Sequence, residues 1–366
     1  MILTYKIKHG RDFSDELAKA RQVAEFGLRT RSRSSADVKH IGLKSAIANQ
    51  ILRKYSLDRK AKRVRRVPLT IPNQSIRVDK ERRLIFIPCL KLELEYRFRN
   101  DFEKVNQIEI NNEFAFVSVT VPEADMISPK GWLGVDLNTT GHCVVVGNPE
   151  TGKVIKMGKK AEHVHKKYKN MRKDLQRRGK YRKVKQIKNR EQRVIKDLNH
   201  KMSSKVVSEA KENGYGIRLE DLKGIRQRAK SSKSFKYSLN SWSFHQFQKM
   251  VEYKAKLHGI PVEYIAPEYT SQTCSVCGHI GNRNGKDFRC SNCGHVDNAD
   301  SNASFNIALR QPSGTMAGIY QSNADRDVLE GSAGTPKDAM LMNDSNIRTP
   351  RTSVVGVCQI NHSWTA

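Results

Sequence analysis

Three acidic residues and four cysteines carry the chemistry this chain can do. Cys274, Cys277, Cys290 and Cys293 form two Cys-x-x-Cys knuckles with twelve residues between them. Each knuckle is followed by glycine, Gly278 and Gly294, which permits the tight turn that lets backbone amides face sulfur. Two such pairs offer four thiolates to one tetrahedral Zn²⁺, and a site closed on every side by protein is structural. Two disulfides, or free buried thiols, are the alternative reading of the same residues. Seven residues after Cys293 comes Asp300, opening a stretch whose pattern predicts an amphipathic helix over 301–309. Asp136 stands near the end of the apolar run Trp132-Leu133-Gly134-Val135, and Glu220 near the end of Ile217-Arg218-Leu219. A single acid at a strand end is ordinarily a turn former or a cap. Three that converge would give two divalent ions, Mg²⁺ or Mn²⁺, the hard oxygen ligands that phosphodiester hydrolysis uses. Separations of 84 and 80 residues put the acids on different elements and leave their convergence open.

The charge points to the partner. The 366 residues hold 67 Lys and Arg against 37 Asp and Glu, a net +30, which makes a polyanion the default ligand. Residues 160–210 alone carry 18 basic against 5 acidic residues, a net +13, in a pattern that predicts a basic helical hairpin bending at Gly179. Lys180, Arg182, Lys183 and Lys185 cluster beside that bend and are the candidate phosphate contacts. A solvated face is the competing reading. No run of about 18 apolar residues is present to span a bilayer, and no signal-peptide pattern opens the chain. Cys89, Cys143 and Cys358 are scattered without a disulfide framework. The expectation is a protein of a reducing cytoplasm with no membrane partner.

Other elements must hold these residues in place. Alternation over 1–7 predicts a first strand, and Ser14 can cap a helix through Leu17, Ala20, Ala24 and Leu28. Ser34 or Ser35 can cap a second helix running through Val38, Ile41, Ile47, Ile51 and Leu52. Four prolines between 67 and 122 argue against long helices there, and runs at 75–78, 84–87, 91–96 and 114–121 read as half-buried antiparallel strands of a small barrel or sandwich. From 131 to 156 three strands in series predict a meander. Strands at 217–222 and 260–265 flank a Lys-, Ser- and Arg-rich loop over 223–240 and an amphipathic helix from Trp242 to Leu257. Asp297 reads as a turn residue and Asp221 as a strand-end neighbour of Glu220. Residues 311–366 lose apolar pattern and read as mostly disordered.

Four motifs in order carry a resemblance: Leu133-Gly134-Val135-Asp136-Leu137-Asn138, Leu219-Glu220-Asp221-Leu222, the run 254–262, and Pro267 to Cys277 continuing through Asp300-Ser301-Asn302-Ala303. Over about 1–310 the chain resembles the TnpB (OrfB) family, compact nucleases encoded by bacterial and archaeal insertion sequences and related to type V CRISPR effectors. That resemblance implies an α/β fold. An RNase H-like (RuvC-type) nuclease domain would cover 126–265 and 296–310, with a four-cysteine zinc ribbon inserted at 266–295. A β-barrel over 1–10 and 61–125 would precede it, carrying a helical recognition insertion at 11–60. It also implies Asp136, Glu220 and Asp300 as ligands of two Mg²⁺, a guide RNA transcribed near the end of the gene, and a double-stranded DNA target. Ser301 and Ser304 depart from the apolar residue and alanine usual in the family, and the 11–60 segment is short. The function expected is RNA-guided DNA endonuclease. The alternatives are a guided DNA-binding regulator that does not cut and a transposase that joins strands.

Overall fold

Asp136 ends up near the middle of a sheet because its strand is wanted from both sides. In the computed structural model, which describes residues 1–58, 61, 63–222 and 243–312, the chain divides into two compact units, one Met1–Pro122 and the other beginning at Glu123. The second unit is built on a sheet of strands β8 (Trp132–Leu137), β9 (Val144–Asn148), β10 (Lys153–Met157), β11 (Gly216–Glu220) and β12 (Val262–Ile265), ordered β10-β9-β8-β11-β12. The first three form the expected antiparallel meander, while β11 runs parallel to both β8 and β12. β8, β9 and β11 are buried along their whole length or nearly so, as strands covered on both faces are.

Helices supply the cover. The basic hairpin is α3 (Lys159–Arg177) and α4 (Tyr181–Asn213), longer at both ends than its charge pattern and bent at Gly179, whose φ of +64° suits only glycine well. Helix α5 (Phe244–Leu257) brings Phe247 and Val251, both fully buried, onto a core that includes Leu133, Val135, Ile217 and Leu219. Trp242 and the loop expected at 223–240 fall outside the described residues.

Helix α6 (Ala299–Leu309) lies against β8 and β9 so closely that only glycine fits on the strands at positions 134 and 147. A Cβ on Gly134 would stand 1.9 Å from the Ser304 carbonyl oxygen, and one on Gly147 would stand 2.3 Å from Ser304 Oγ. The seat explains a difference from expectation. α6 is buried almost all round rather than amphipathic, and its Ser and Asn side chains bond inward, as Ser304 does to the Ser301 carbonyl at 2.7 Å.

The first unit holds β1 (Ile2–Lys8), helices α1 (Ser14–Thr30) and α2 (Ser45–Ser56), and strands β2 (Leu69–Pro72), β3 (Arg77–Asp79), β4 (Leu84–Ile87), β5 (Leu92–Glu95), β6 (Lys104–Ile110) and β7 (Phe114–Thr120). They form one antiparallel sheet ordered β1-β7-β6-β2 and another ordered β3-β4-β5. Ser14 does not cap α1; Asp12 Oδ1 instead accepts from the Ser14 amide and hydroxyl. The second helix is split, a 3-10 segment at Ser35–Ile41 ending on Gly42 in the left-handed region before α2 begins. The expected strand at 75–78 starts as a 3-10 turn, Asn73–Ser75, and only then becomes β3. No helix among the described residues is long and apolar enough to cross a membrane. The tail expected to be disordered falls, from 313 on, outside the described residues, as does Cys358.

Candidate functional site

The acids come together through strand register. β11 pairs with β8 up to Leu219 opposite Val135, and Glu220 and Asp136 are the next residue on each strand, near enough for the Glu220 charge to act on Asp136. Side chains paired across parallel strands share a face. Asp136 also lies two residues beyond Gly134 and so shares the face that α6 covers. Asn298 caps α6, accepting from the Asp300 amide at 3.2 Å, and this sets Asp300 in the first turn above that face. All three acids are buried, Asp136 at 8%, Glu220 at 7% and Asp300 at 5% exposure.

Each acid has one polar support. Asn138 Nδ2 donates to Asp136 Oδ2 at 2.6 Å. The Thr270 hydroxyl donates to Glu220 Oε1 at 2.5 Å. Lys286 Nζ donates to Asp300 Oδ2 at 2.5 Å. Burial, with the charges of Glu220 and Asp300 added, pushes the Asp136 carboxyl up to about 8. Burial pushes Glu220 upward as well, against the Thr270 hydrogen bond. Asp300 Oδ1 is buried and receives no hydrogen bond from any described residue. Asp136 lies near enough to Glu220 and Asp300 to feel both charges, and the three carboxyls offer hard oxygens suited to divalent cations, although their oxygens do not all lie within 4.8 Å of one another, and Asp300 Oδ1 has the Arg283 guanidinium 3.6 Å away.

The knuckles form the second centre. The four Sγ atoms lie within 4.8 Å of one another, the one such group of three or more potential ligands among the described residues. Cys274 and Cys293 sulfurs are 3.7 Å apart, and those of Cys277 and Cys290 3.5 Å. A tetrahedral zinc–thiolate site with bonds of about 2.3 Å has sulfur–sulfur edges of about 3.8 Å, so the cluster fits Zn²⁺. The four thiols are free rather than paired in disulfides. Strands β13 (Asn282–Asn284), β14 (Asp287–Arg289) and β15 (Val296–Asn298) fold around them with Phe288 fully buried. Asp297, expected in a turn, is a residue of β15 and faces Phe288. Asp221 lies just past β11, its amide bonded to the Ile265 carbonyl.

Several residues that bind the two centres together were not singled out by sequence. Asn302 accepts from the Ser275 amide at 2.9 Å and donates to the Thr273 carbonyl at 2.7 Å. Asn306 donates to the carbonyls of Thr270 and Thr273. The ribbon's entry strand and α6 are thus stitched by two buried amides. Their signal was available: two asparagines at helical i,i+4 spacing directly after Asp300. Thr270 and Lys286 left no comparable mark.

Lys180, Arg182, Lys183 and Lys185 stand at the turn between α3 and α4, all exposed. The first turn of α4 contains no acid. Positive charge at the positive end of a helix dipole costs about 0.3–1 kcal/mol per residue, so these side chains do not serve helix stability.

Comparison with known proteins bears on both centres. Residues 244–307 match the family described as Cas12f1-like, TNB domain. A TnpB-like protein of Methanocaldococcus jannaschii is 31% identical over 195 residues, covering 50% of this chain and 68% of that protein. The CRISPR-associated endodeoxyribonuclease Cas12f1 of Sulfoacidibacillus thermotolerans is 40% identical over 115 residues, covering 30% of this chain and only 26% of that enzyme. Among solved structures, a Cas12f1–sgRNA–target DNA complex aligns with TM-score 0.51 at 17% identity, over 81% of this chain and 82% of that one, a likeness of fold.

Proposed function

This chain belongs to the TnpB-like protein family, and from that premise we propose that it is an RNA-guided DNA endonuclease whose carboxylates Asp136, Glu220 and Asp300 hold two Mg²⁺ or Mn²⁺ ions. The observation that carries the reading is the acid cluster itself: three buried carboxyls, one pushed up to about 8 chiefly by burial and then by its neighbours, and one with an unbonded buried oxygen. When bound, the ions would activate a water and stabilise the leaving oxygen at a DNA phosphate. Asp136, whose carboxyl feels the charges of both Glu220 and Asp300, would be the acid shared by the two ions. Asn138 and Thr270 orient Asp136 and Glu220. Cys274, Cys277, Cys290 and Cys293 hold a structural Zn²⁺. The five-stranded sheet with α6 on its face supports an RNase H-like (RuvC-type) domain, and the two antiparallel sheets of the first unit support a β-barrel with α1 and α2 inserted. A guide RNA would supply sequence recognition and a double-stranded DNA the substrate.

The test uses the protein purified with its own RNA and a duplex matched to that RNA. Cutting in Mg²⁺, and none in chelator, is the expected result. A duplex that is bound but never cut in Mg²⁺ or Mn²⁺ makes the non-cutting regulator the better reading, and joined ends would make it a transposase. In the same assay, reversing the charges of Lys180, Arg182, Lys183 and Lys185 together is expected to flatten the log–log salt dependence of binding by about 2–4, since each phosphate contact releases close to one counterion. An unchanged slope identifies the cluster as a solvated face.

A further inference from the structure

Lys286 and Arg283 face the acids from one short hairpin. β13 and β14 turn at Gly285, whose φ is +60°, and Lys286 follows the turn. Its main chain is fixed, the carbonyl accepting from the Ala299 amide at 2.8 Å and from Asn298 Nδ2 at 3.1 Å. From that anchor the ammonium reaches Asp300 Oδ2. Arg283, on β13, stands 3.6 Å from Asp300 Oδ1, too far for a hydrogen bond. The charge of Lys286 also acts on Asp136 and on Glu162, a fourth carboxylate that bonds the Gly141 amide beside the sheet. On Glu220 the larger cationic influence is Arg310, at the end of α6, followed by Arg283. Asp300 is almost wholly buried, while the Lys286 side chain is 41% exposed and so has open space on its outer side.

We propose that Lys286 is a positioning residue that holds one of the two cation places at the acids, so that the protein without DNA takes one divalent ion and not two. The inference rests on the nuclease reading above. An ammonium bonded to a buried carboxylate and a divalent ion on the same oxygens exclude each other, because like charges a few ångströms apart in a buried site repel strongly. The ammonium is a point charge on a flexible stem and is able to leave. An entering DNA phosphate offers it an equivalent partner. The second ion therefore arrives with the substrate, and the zinc-stapled hairpin sets the charge of the site as well as its shape.

The test is titration of Mn²⁺ into zinc-loaded full-length protein without nucleic acid, followed by calorimetry and by the paramagnetic resonance of free Mn²⁺. Wild type is expected to bind about one ion. Lys286→Met is expected to bind about two, or to bind the second at least about tenfold more tightly. Lys286→Arg, which keeps the charge, should follow wild type, with zinc content and melting temperature checked in each variant. A Lys286→Met titration that superimposes on wild type overturns the inference while leaving the nuclease reading intact. An Asp136→Asn variant that binds Mn²⁺ as wild type does removes the acids as ligands, and both readings fall together.

Discussion

Cleavage of a guide-matched duplex in Mg²⁺ is expected to fall by at least about a thousandfold in Asp136→Ala, roughly 4 kcal/mol of lost transition-state stabilisation. Asp136 feels the charges of both Glu220 and Asp300, so its removal is expected to disturb both proposed ion positions. Glu220→Gln keeps the size and loses the charge, and with Asp300→Ala should be nearly as damaging. Guided binding should survive all three changes, because affinity rests on basic surface and base pairing. The cation-free protein carries a second signature. A carboxyl that burial pushes up to about 8 is an expense to the fold, so Asp136→Ala should melt no lower than wild type in chelator. Single-turnover cleavage, equilibrium binding and melting of the same preparations check this. Wild-type cleavage by Asp136→Ala would mean that the active site lies elsewhere.

Loss of zinc is expected to be as damaging by a different route. Purified protein should carry about one zinc per chain, insensitive to mild reductant, as a closed four-thiolate site does. Cys290→Ser should lose it, since structural zinc of this kind contributes folding free energy directly, on the order of 10 kcal/mol in isolated zinc fingers. The damage should not stay in the ribbon. Thr270, which orients Glu220, and Lys286, whose carbonyl receives the Ala299 amide at the start of α6, both belong to the segment the metal organises. Both acids therefore lose support together. Metal analysis, limited proteolysis and cleavage of the variant measure the three parts. Active, soluble protein without zinc would refute the assignment.

The candidate acids and cysteines stand out in the sequence because each is marked in one short stretch. Asp136 closes an apolar run, Glu220 closes another, and the knuckles have a spacing few other structures produce. What joins them was not legible, for physical reasons. β13, β14 and β15 are three residues each, too short for alternation to show, so Lys286 stood in no pattern. α6 was misjudged because burial of Ser and Asn through internal hydrogen bonds looks, in sequence, like a solvent-facing stripe. β6 escaped notice because its register shifts between Val105 and Gln107, which breaks the period of two. β2 is only four residues long. Gly42 ended a helix that apolar spacing alone would have continued.

The order of the parts along the chain has a consequence during synthesis. Asp300 follows Asp136 by 164 residues, and the four clustered cysteines all lie between Glu220 and Asp300. At about 5–20 residues per second, roughly 10–30 seconds separate the emergence of the first acid from that of the last. α4 ends at Asn213, 87 residues before Asp300, so for about 4–17 seconds of that interval a nascent chain has both basic helices, α3 and α4, exposed to any nearby transcript or duplex while its proposed set of acids is incomplete. The chain can thus meet nucleic acid before its proposed active site is complete, and its last acid emerges only after the cysteine-bearing segment that supports it.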